Sequence, residues 1–293
     1  MERDITSELL TWGEKLHGFG REHVRHGVRL ARCIVDGVED QDGNFHPGIG
    51  TPHPDVFHDL ALDVAWIFWL DDCFDSNPEQ SSNRMLCLAD FDDAAEDAPL
   101  EVWSAAAVRK GMRSVVEGRA AEMILWMDSV VEMTKAFQRN KRSSRSGDQW
   151  TFAEYLDNGE QSSAVPHFLA TVSMLYGLDL PQRLSDPSFT RTIRHLSLEM
   201  RLENDLVSVD KEIDEGDHAN VMLIMNRFMP REAVFDFIEE QRCGFERMVI
   251  EDLDDLLPDD LLANAMRLVL EGAHWFHKIE QDRYSRPSAQ ARS

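Results

Sequence analysis

Cysteine is scarce in this chain. The four cysteines, Cys33, Cys73, Cys87 and Cys243, form no CxxC pair, which speaks against a zinc site or a disulfide framework and for reduced thiols. Long apolar runs are missing too. No stretch reaches the roughly 18 apolar residues of a membrane-spanning helix, and no signal peptide precedes Met1-Glu2-Arg3-Asp4, so a cytoplasmic protein is the expectation. Positive charge is short, with 30 Lys and Arg against 54 Asp and Glu and a formal net charge of −24. So acidic a chain is a poor general binder of nucleic acid or of an anionic membrane. Any polyanionic ligand then needs metal and a few local cations. Nothing alternates with period two for long, and there is no internal repeat, no linker and no G-x-S-x-G elbow of a hydrolase. The chain is expected to be all-α and without strands.

What remains is ordinary globular material. At 293 residues, 43 % hydrophobic and 29 % charged, one large domain with a sizeable core is the default. Helical spacing covers 5–38, with a break at Gly18 and Gly20, and a polar Gly/Asp/Pro loop follows from Glu39 to Pro54. The apolar positions Val102, Ala106, Met112, Val115, Val116, Met123, Trp126, Val130 and Met133 predict one long helix over 100–139, then a basic, Ser-rich loop to Gly147. Thr151 opens a helix expected to break at Asn158-Gly159 and to resume over 162–178. Further helices are expected over 188–213, 220–228, 231–256 and 261–283. Residues 285–293 read as a disordered tail.

Two stretches carry chemistry. In Ala65-Trp66-Ile67-Phe68-Trp69-Leu70-Asp71-Asp72-Cys73-Phe74-Asp75, an apolar run stops at three carboxylates. On a helix Asp71 and Asp75 lie at i and i+4 on one face, which Val64 and Phe68 continue backwards. Hard carboxylate oxygens at the rim of an apolar wall suit Mg2+, which takes one or two carboxylates plus substrate phosphates. In Arg201-Leu202-Glu203-Asn204-Asp205-Leu206-Val207-Ser208-Val209-Asp210-Lys211-Glu212, the residues Asn204, Ser208 and Glu212 fall at i, i+4 and i+8. They make one stripe of amide, hydroxyl and carboxylate oxygens, with Lys211 beside them as a point charge for phosphate.

With Arg283-Tyr284 near the end of the chain, these stretches resemble the class I terpene synthases. The matching motifs are DDxxD (Asp71, Asp72, Asp75), NDxxSxxxE (Asn204, Ser208, Glu212) and the terminal RY pair. Their order and separation match one catalytic domain over 1–284. Phe68-Trp69-Leu70-Asp71-Asp72-Cys73, Glu154-Tyr155-Leu156-Asp157-Asn158-Gly159, Tyr176-Gly177-Leu178-Asp179 and Arg201-Leu202-Glu203-Asn204-Asp205-Leu206 further resemble the small bacterial ent-kaurene synthases.

The resemblance implies a single-domain α-helical bundle with three Mg2+ ions, replaceable by Mn2+, clamped between the two motifs and a diphosphate. It implies that Asp71, Asp75, Asn204, Ser208 and Glu212 ligate metal, with Asp72 orienting cations rather than binding strongly. Arg201, Lys211, Arg283 and the Tyr284 hydroxyl would hold the diphosphate. Val64, Phe68, Phe74, Phe168, Met200 and Trp275 would line the carbocation pocket, and a helix break at Gly159 would expose backbone groups to it. The substrate would be ent-copalyl diphosphate, and the product ent-kaurene or a related polycyclic diterpene. Linear geranylgeranyl or farnesyl diphosphate is the alternative substrate, and an acidic helical scaffold is the alternative outside enzymology. A homodimer is compatible with all of these.

One feature departs from the family. Many bacterial relatives carry a diphosphate-sensing arginine four residues after the tyrosine equivalent to Tyr155, and here that position is Gly159. Three acidic clusters look like decoys. Asp92-Asp93-Ala94-Ala95-Glu96 fits DDxxE, and 90–93 and 252–255 fit the DxDD acid motif of class II cyclases. Class II chemistry needs a much longer, two-domain chain, so both DxDD matches read as surface acids. The i, i+3 pairs His23/His26 and His274/His277 lack an obvious third ligand and read as surface or core histidines.

Overall fold

The computed structural model describes residues 5–14, 19–40, 42–76, 108–110, 112–114, 119–146, 150–215, 219–256 and 260–279, excepting the side chains of 75, 76 and 144–146. Helices dominate: α1 (Ile5–Gly13), α2 (Arg21–Val35), α3 (Pro54–Ser76), α4 (Ala120–Ser146), α5 (Phe152–Ser162), α6 (Val165–Tyr176), α7 (Leu180–Arg183), α8 (Pro187–Glu215), α9 (Val221–Met225), α10 (Arg231–Asp254) and α11 (Leu261–Ile279). None of them is long and apolar enough to cross a membrane, among the described residues.

Helix α3 is nearly all buried on its inner length. Trp66, Trp69, Leu60, Leu62 and Leu70 are each 0–1 % exposed, and burying such side chains contributes about 1.5–3 kcal/mol apiece. Its crossing with α2 is close because Gly27 has no side chain. A Cβ there would meet the Ala61 carbonyl oxygen at 2.3 Å and the Ala65 Cβ at 2.8 Å. Small residues on both helices therefore set the depth at which α3 sits. Asp59, fully buried on α3, accepts from the Arg113 and Ser114 amides at 2.8 Å each and from the Ser114 hydroxyl at 2.6 Å. Around this core α8 packs against α5, α10 and α11, and α6 against α3 and α4.

Three sequence expectations need correction. The loop before α3 contains a short antiparallel hairpin, β1 (Gly37–Glu39) with β2 (Phe45–Pro47), paired Val38 to His46. Three-residue strands are too short to show alternation, and the turn is held locally, with Asp40 accepting from the Asn44 amide at 2.8 Å.

The helix expected over 100–139 is not continuous: 108–110 is helical, 112–114 is not, where Asp59 captures the Arg113 and Ser114 amides, and α4 begins at Ala120. It then runs on through the basic stretch to Ser146.

The third correction concerns Gly159. Helix α5 passes straight through Asn158-Gly159, and the break comes at Ser163-Ala164, where Ala164 is left-handed (φ 62°). Pro166 explains the position: it cannot occupy a helix interior but fits the first turn of α6, so α5 must stop just before it. Thr151 caps α5 as expected, exchanging hydrogen bonds with Glu154. Gly177, left-handed at φ 71°, closes α6.

Candidate functional site

A cavity opens between α2, α3, α4, α6, α8 and α11. Its apolar wall includes Ile34, Val64, Phe68, Phe74, Phe168 and Met200, with Leu268 and Phe276 from α11. Several of its polar members sit on two helices. Asp71 comes from α3, one helical turn past Phe68. Arg201, Asn204, Ser208, Lys211 and Glu212 come from α8. The steps Val64, Phe68, Asp71 and Met200, Asn204, Ser208, Glu212 are the three- and four-residue spacings that put a stripe on one helical face. Each stripe runs from apolar to oxygen-bearing, so the grease and the hard donors share one cavity but separate along it. The Ser208 hydroxyl donates to Glu212 Oε1 at 2.7 Å, leaving its own oxygen lone pairs to accept.

Carboxylate, amide and hydroxyl oxygens make up this donor set, and they suit Mg2+ rather than a soft metal. Asp72 is turned aside: its side chain is half exposed and lies 3.0 Å from His23 Nε2. Arg283 and Tyr284 lie outside the described residues, as does the side chain of Asp75.

Arg201 is fixed before any ligand arrives. Its Nε donates to the Tyr155 hydroxyl at 2.6 Å, one terminal nitrogen lies 3.1 Å from Asp205 Oδ1, and the same nitrogen donates to the Ala219 carbonyl at 3.3 Å. Burial opposes its charge, but Asp205, Tyr155 and Glu212 hold it as a firm cation. Burial also pushes the Tyr155 phenol well above the usual tyrosine range, with Arg201 pulling the other way. It stays protonated and donates to the fully buried Asp205. Asp205 in turn accepts from the Val221 amide at 2.6 Å, which ties α9 to the same cluster.

Gly159 belongs to this cluster and not to the cavity lining. A Cβ at Gly159 would meet Arg201 Cγ at 3.3 Å, so the missing side chain on α5 is the space that Arg201 of α8 fills. Trp275 is likewise absent from the lining, where its neighbours Ala273, Phe276 and His277 stand instead. It packs half-buried against the core.

Basic residues near Arg139 were expected to help carry a diphosphate, and one of that stretch lines the cavity. Lys141 adds a further cation, on the part of α4 expected to be loop. Ser162, Ser163 and Ala164 bring the α5–α6 break to the wall, and Pro166 was the sequence signal for it.

The histidines of α11 lie in the interior beside carboxylates, and His274 is a satisfied core histidine. His274 Nε2 lies 2.9 Å from Glu199 Oε1 and 3.3 Å from Glu203 Oε2, and His277 Nδ1 lies 3.1 Å from Glu203 Oε1. Arg242 of α10 donates to Glu199 Oε1 at 2.9 Å and pairs with Glu239 and Glu246. Burial works against a charged His274, but the hydrogen bond and charge of Glu199, with Glu203 and Glu246, push it up to about 9.

Glu199, Glu203 and His274 bring ligand atoms within 4.8 Å of one another. Arg242 and a charged His274 already neutralise those carboxylates, so the cluster is an ion-pair network. Another buried set, Asp63, His167 and Ser129, imitates a hydrolase triad, with His167 Nδ1 3.0 Å from Ser129 Oγ. The Ser129 hydroxyl donates to the Trp126 carbonyl at 2.6 Å, and none of the three lines the cavity.

Comparison with known proteins agrees with this geometry. Residues 64–241 match the family described as terpene synthase family 2, C-terminal metal binding. Pentalenene synthase of Streptomyces exfoliatus is 23 % identical over 93 % of this chain and 85 % of its own length. Linalool/nerolidol synthase of Streptomyces clavuligerus, solved with 2-fluorogeranyl diphosphate, superposes with a TM-score of 0.74 at 15 % identity, covering 93 % of this chain and 97 % of that one. Abietadiene synthase of Abies grandis superposes at 0.73 and 14 % identity, over 96 % of this chain and 39 % of its own. The chain has the single-domain helical fold of the class I terpenoid synthases and belongs to terpene synthase family 2.

Proposed function

We propose that this protein ionises ent-copalyl diphosphate and cyclises the resulting cation to ent-kaurene or a related polycyclic diterpene. The observation that carries the ionisation step is the pairing of Asp71 on α3 with Asn204, Ser208 and Glu212 on α8 around one apolar cavity. Mg2+, three ions by family resemblance and replaceable by Mn2+, would supply the charge that stabilises the leaving diphosphate. Asp71, Asp75, Asn204, Ser208 and Glu212 would hold it. Arg201 and Lys211 would meet the diphosphate, as would Arg283 and Tyr284. Arg201 is already aimed by Tyr155 and Asp205, so little reorganisation accompanies the charge developing on the leaving group. In this reading Arg201, in the space left by Gly159, takes the place of the sensing arginine. Phe68, Phe74, Phe168 and Phe276 offer ring faces to a carbocation, and the apolar wall keeps water from it.

The substrate rests on local likeness to bacterial ent-kaurene synthases beyond the metal motifs. Two of the resembling stretches touch: Tyr155 of one bonds Arg201 and Asp205 of another. The second reading is direct cyclisation of linear geranylgeranyl or farnesyl diphosphate. It is favoured by full-length likeness to pentalenene synthase and to a synthase crystallised with a fluorinated geranyl diphosphate. Incubation with a panel of prenyl diphosphates, both copalyl enantiomers included, with hydrocarbon analysis, separates the two. Release of no diphosphate from any of them with Mg2+ or Mn2+ would overturn both.

A further inference from the structure

We infer that Asn140 is a further diphosphate-binding residue, which offers its carboxamide N–H groups to the leaving group and is oriented by Asn158. The inference rests on the ionisation reading above.

Asn140 stands on a third stripe of the cavity wall. Phe137, Asn140 and Lys141 of α4 all line it, at the three- and four-residue steps of one helical face. As on α3 and α8, the stripe passes from apolar to polar. Two contacts place its polar end beside that of α3. His167 of α6 bridges Asp63 of α3 at 3.2 Å and Ser129 of α4 at 3.0 Å. Farther along both helices the Phe74 and Phe137 rings meet edge to face, with 5.7 Å between centroids. The two helices therefore run towards the same end. Phe74 lies between Asp71 and Asp75, and Asn140 comes one turn past Phe137.

Helix α5 sets Asn140 level with Arg201. Gly159 faces Arg201 of α8, and the residue before it, Asn158, donates to Asn140 Oδ1 at 2.7 Å. Successive residues on a helix point about 100° apart. Asn140 and Arg201 therefore flank α5 on two sides at one height.

The same hydrogen bonds decide which end of the Asn140 amide is available. Asn158 also donates to the Ala136 carbonyl, at 3.1 Å. Turning Asn158 over would set two oxygens against each other there. Its nitrogen is thus fixed on the α4 side, and the oxygen of Asn140 is the end that accepts. The Asn158 oxygen is itself buried without a partner among the described residues. Such a group costs stability, and what Asn158 supplies in return is the orientation of Asn140. The Asn140 nitrogen donates to none of the described residues, which leaves its N–H groups for a ligand. An oxygen turned to the cavity would suit a metal ion, whereas a nitrogen suits an anion. The nonbridging oxygens of a diphosphate are the acceptors that the proposed reaction brings to this end of the cavity. With Asn140 only 6 % exposed, a bond made there is shielded from water.

The test measures binding of inorganic diphosphate at saturating Mg2+ by titration calorimetry, with KM, kcat and product analysis beside it. The proteins are wild type, Asn140→Leu, Asn140→Asp, Asn158→Leu and the double variant of Asn140→Leu with Asn158→Leu. Asn140→Leu keeps the volume and removes the donor. It should weaken diphosphate binding about tenfold or more, raise KM by a similar factor and leave the product spectrum unchanged. Asn140→Asp should weaken binding at least as much, because an oxygen replaces the N–H groups. Asn158→Leu should weaken it too, and the double variant should be no weaker than Asn140→Leu, because Asn158 acts through Asn140. An additive loss in the double variant would contradict that positioning role. Wild-type diphosphate affinity in Asn140→Leu overturns the inference and leaves the ionisation reading intact. So does tighter Mg2+ binding in Asn140→Asp, which would make this position a metal ligand. A wild type that binds no inorganic diphosphate with Mg2+, and releases none from any prenyl diphosphate, overturns the ionisation reading and this inference together.

Discussion

His23 holds Asp72 by a hydrogen bond of 3.0 Å from Nε2 to Oδ2, joining α2 to the aspartate-rich end of α3. The donor is identified by the other ring nitrogen: the Gly20 amide donates to Nδ1 at 2.9 Å, so Nε2 carries the hydrogen. Phe19 stacks on the ring at 5.4 Å between centroids. The contact turns Asp72 away from the cavity while its neighbour Asp71 faces in. His23→Ala is expected to raise the Mg2+ concentration needed for half-maximal turnover by about tenfold, the usual cost of losing a group that orients a metal site. An unchanged Mg2+ titration would show that Asp72 needs no tether.

Asp71→Ala and Asn204→Ala are each expected to abolish turnover with the fold intact. Both remove an oxygen donor from a partly exposed cavity rim, where little packing is lost. The control is Asp254→Ala, which breaks only an ion pair with Arg267 at 2.7 Å between half-exposed side chains and should change activity little. Circular dichroism and turnover at saturating Mg2+ check all three, and full activity in either cavity variant would contradict the metal assignment.

Gly159→Leu tests the packing of Arg201. Only 3.3 Å separates a Cβ at this position from Arg201 Cγ, and Arg201 is pinned at its far end by Tyr155, Asp205 and Ala219. It cannot step aside cheaply. Overpacking should cost about 1–3 kcal/mol of stability and raise KM for the diphosphate substrate. Denaturant unfolding and steady-state kinetics read the two effects, and a KM equal to wild type would separate Arg201 from the diphosphate.

The legible part of the protein was whatever lies along one helix. The spacings from Val64 to Asp71 and from Asn204 to Glu212 fixed which residues share a face, and both stripes do face one cavity. Relationships across helices left no local trace. His23 and Asp72 lie 49 residues apart, and His274 and Glu199 lie 75 apart. Gly159 was read as a helix break because glycine usually disfavours helices. Here it is helical and serves a neighbour's side chain, while the true break falls on Ala164, a residue with no breaking signal of its own. The β1–β2 hairpin was too short for its pattern to register.

The His274 network makes stability depend on pH. His274 has a folded pKa of about 9, above its ordinary 6.5. Its contribution is therefore fully present below about pH 6.5 and is lost as pH rises through about 9. A shift of this size corresponds to on the order of 3 kcal/mol at most. Urea unfolding across that range should show wild type losing stability and His274→Gln losing less of it. Equal slopes in the two proteins would contradict the assignment.

Magnesium-dependent ionisation of ent-copalyl diphosphate is the proposed reaction. The most direct measurement incubates the purified protein with that substrate, with its enantiomer, and with geranylgeranyl and farnesyl diphosphates. Inorganic diphosphate and hydrocarbon products are quantified with and without Mg2+. Diphosphate release and a polycyclic hydrocarbon are expected from ent-copalyl diphosphate, only with metal, and no copalyl diphosphate from geranylgeranyl diphosphate. Efficient cyclisation of a linear substrate with both copalyl enantiomers ignored would contradict the proposed reaction.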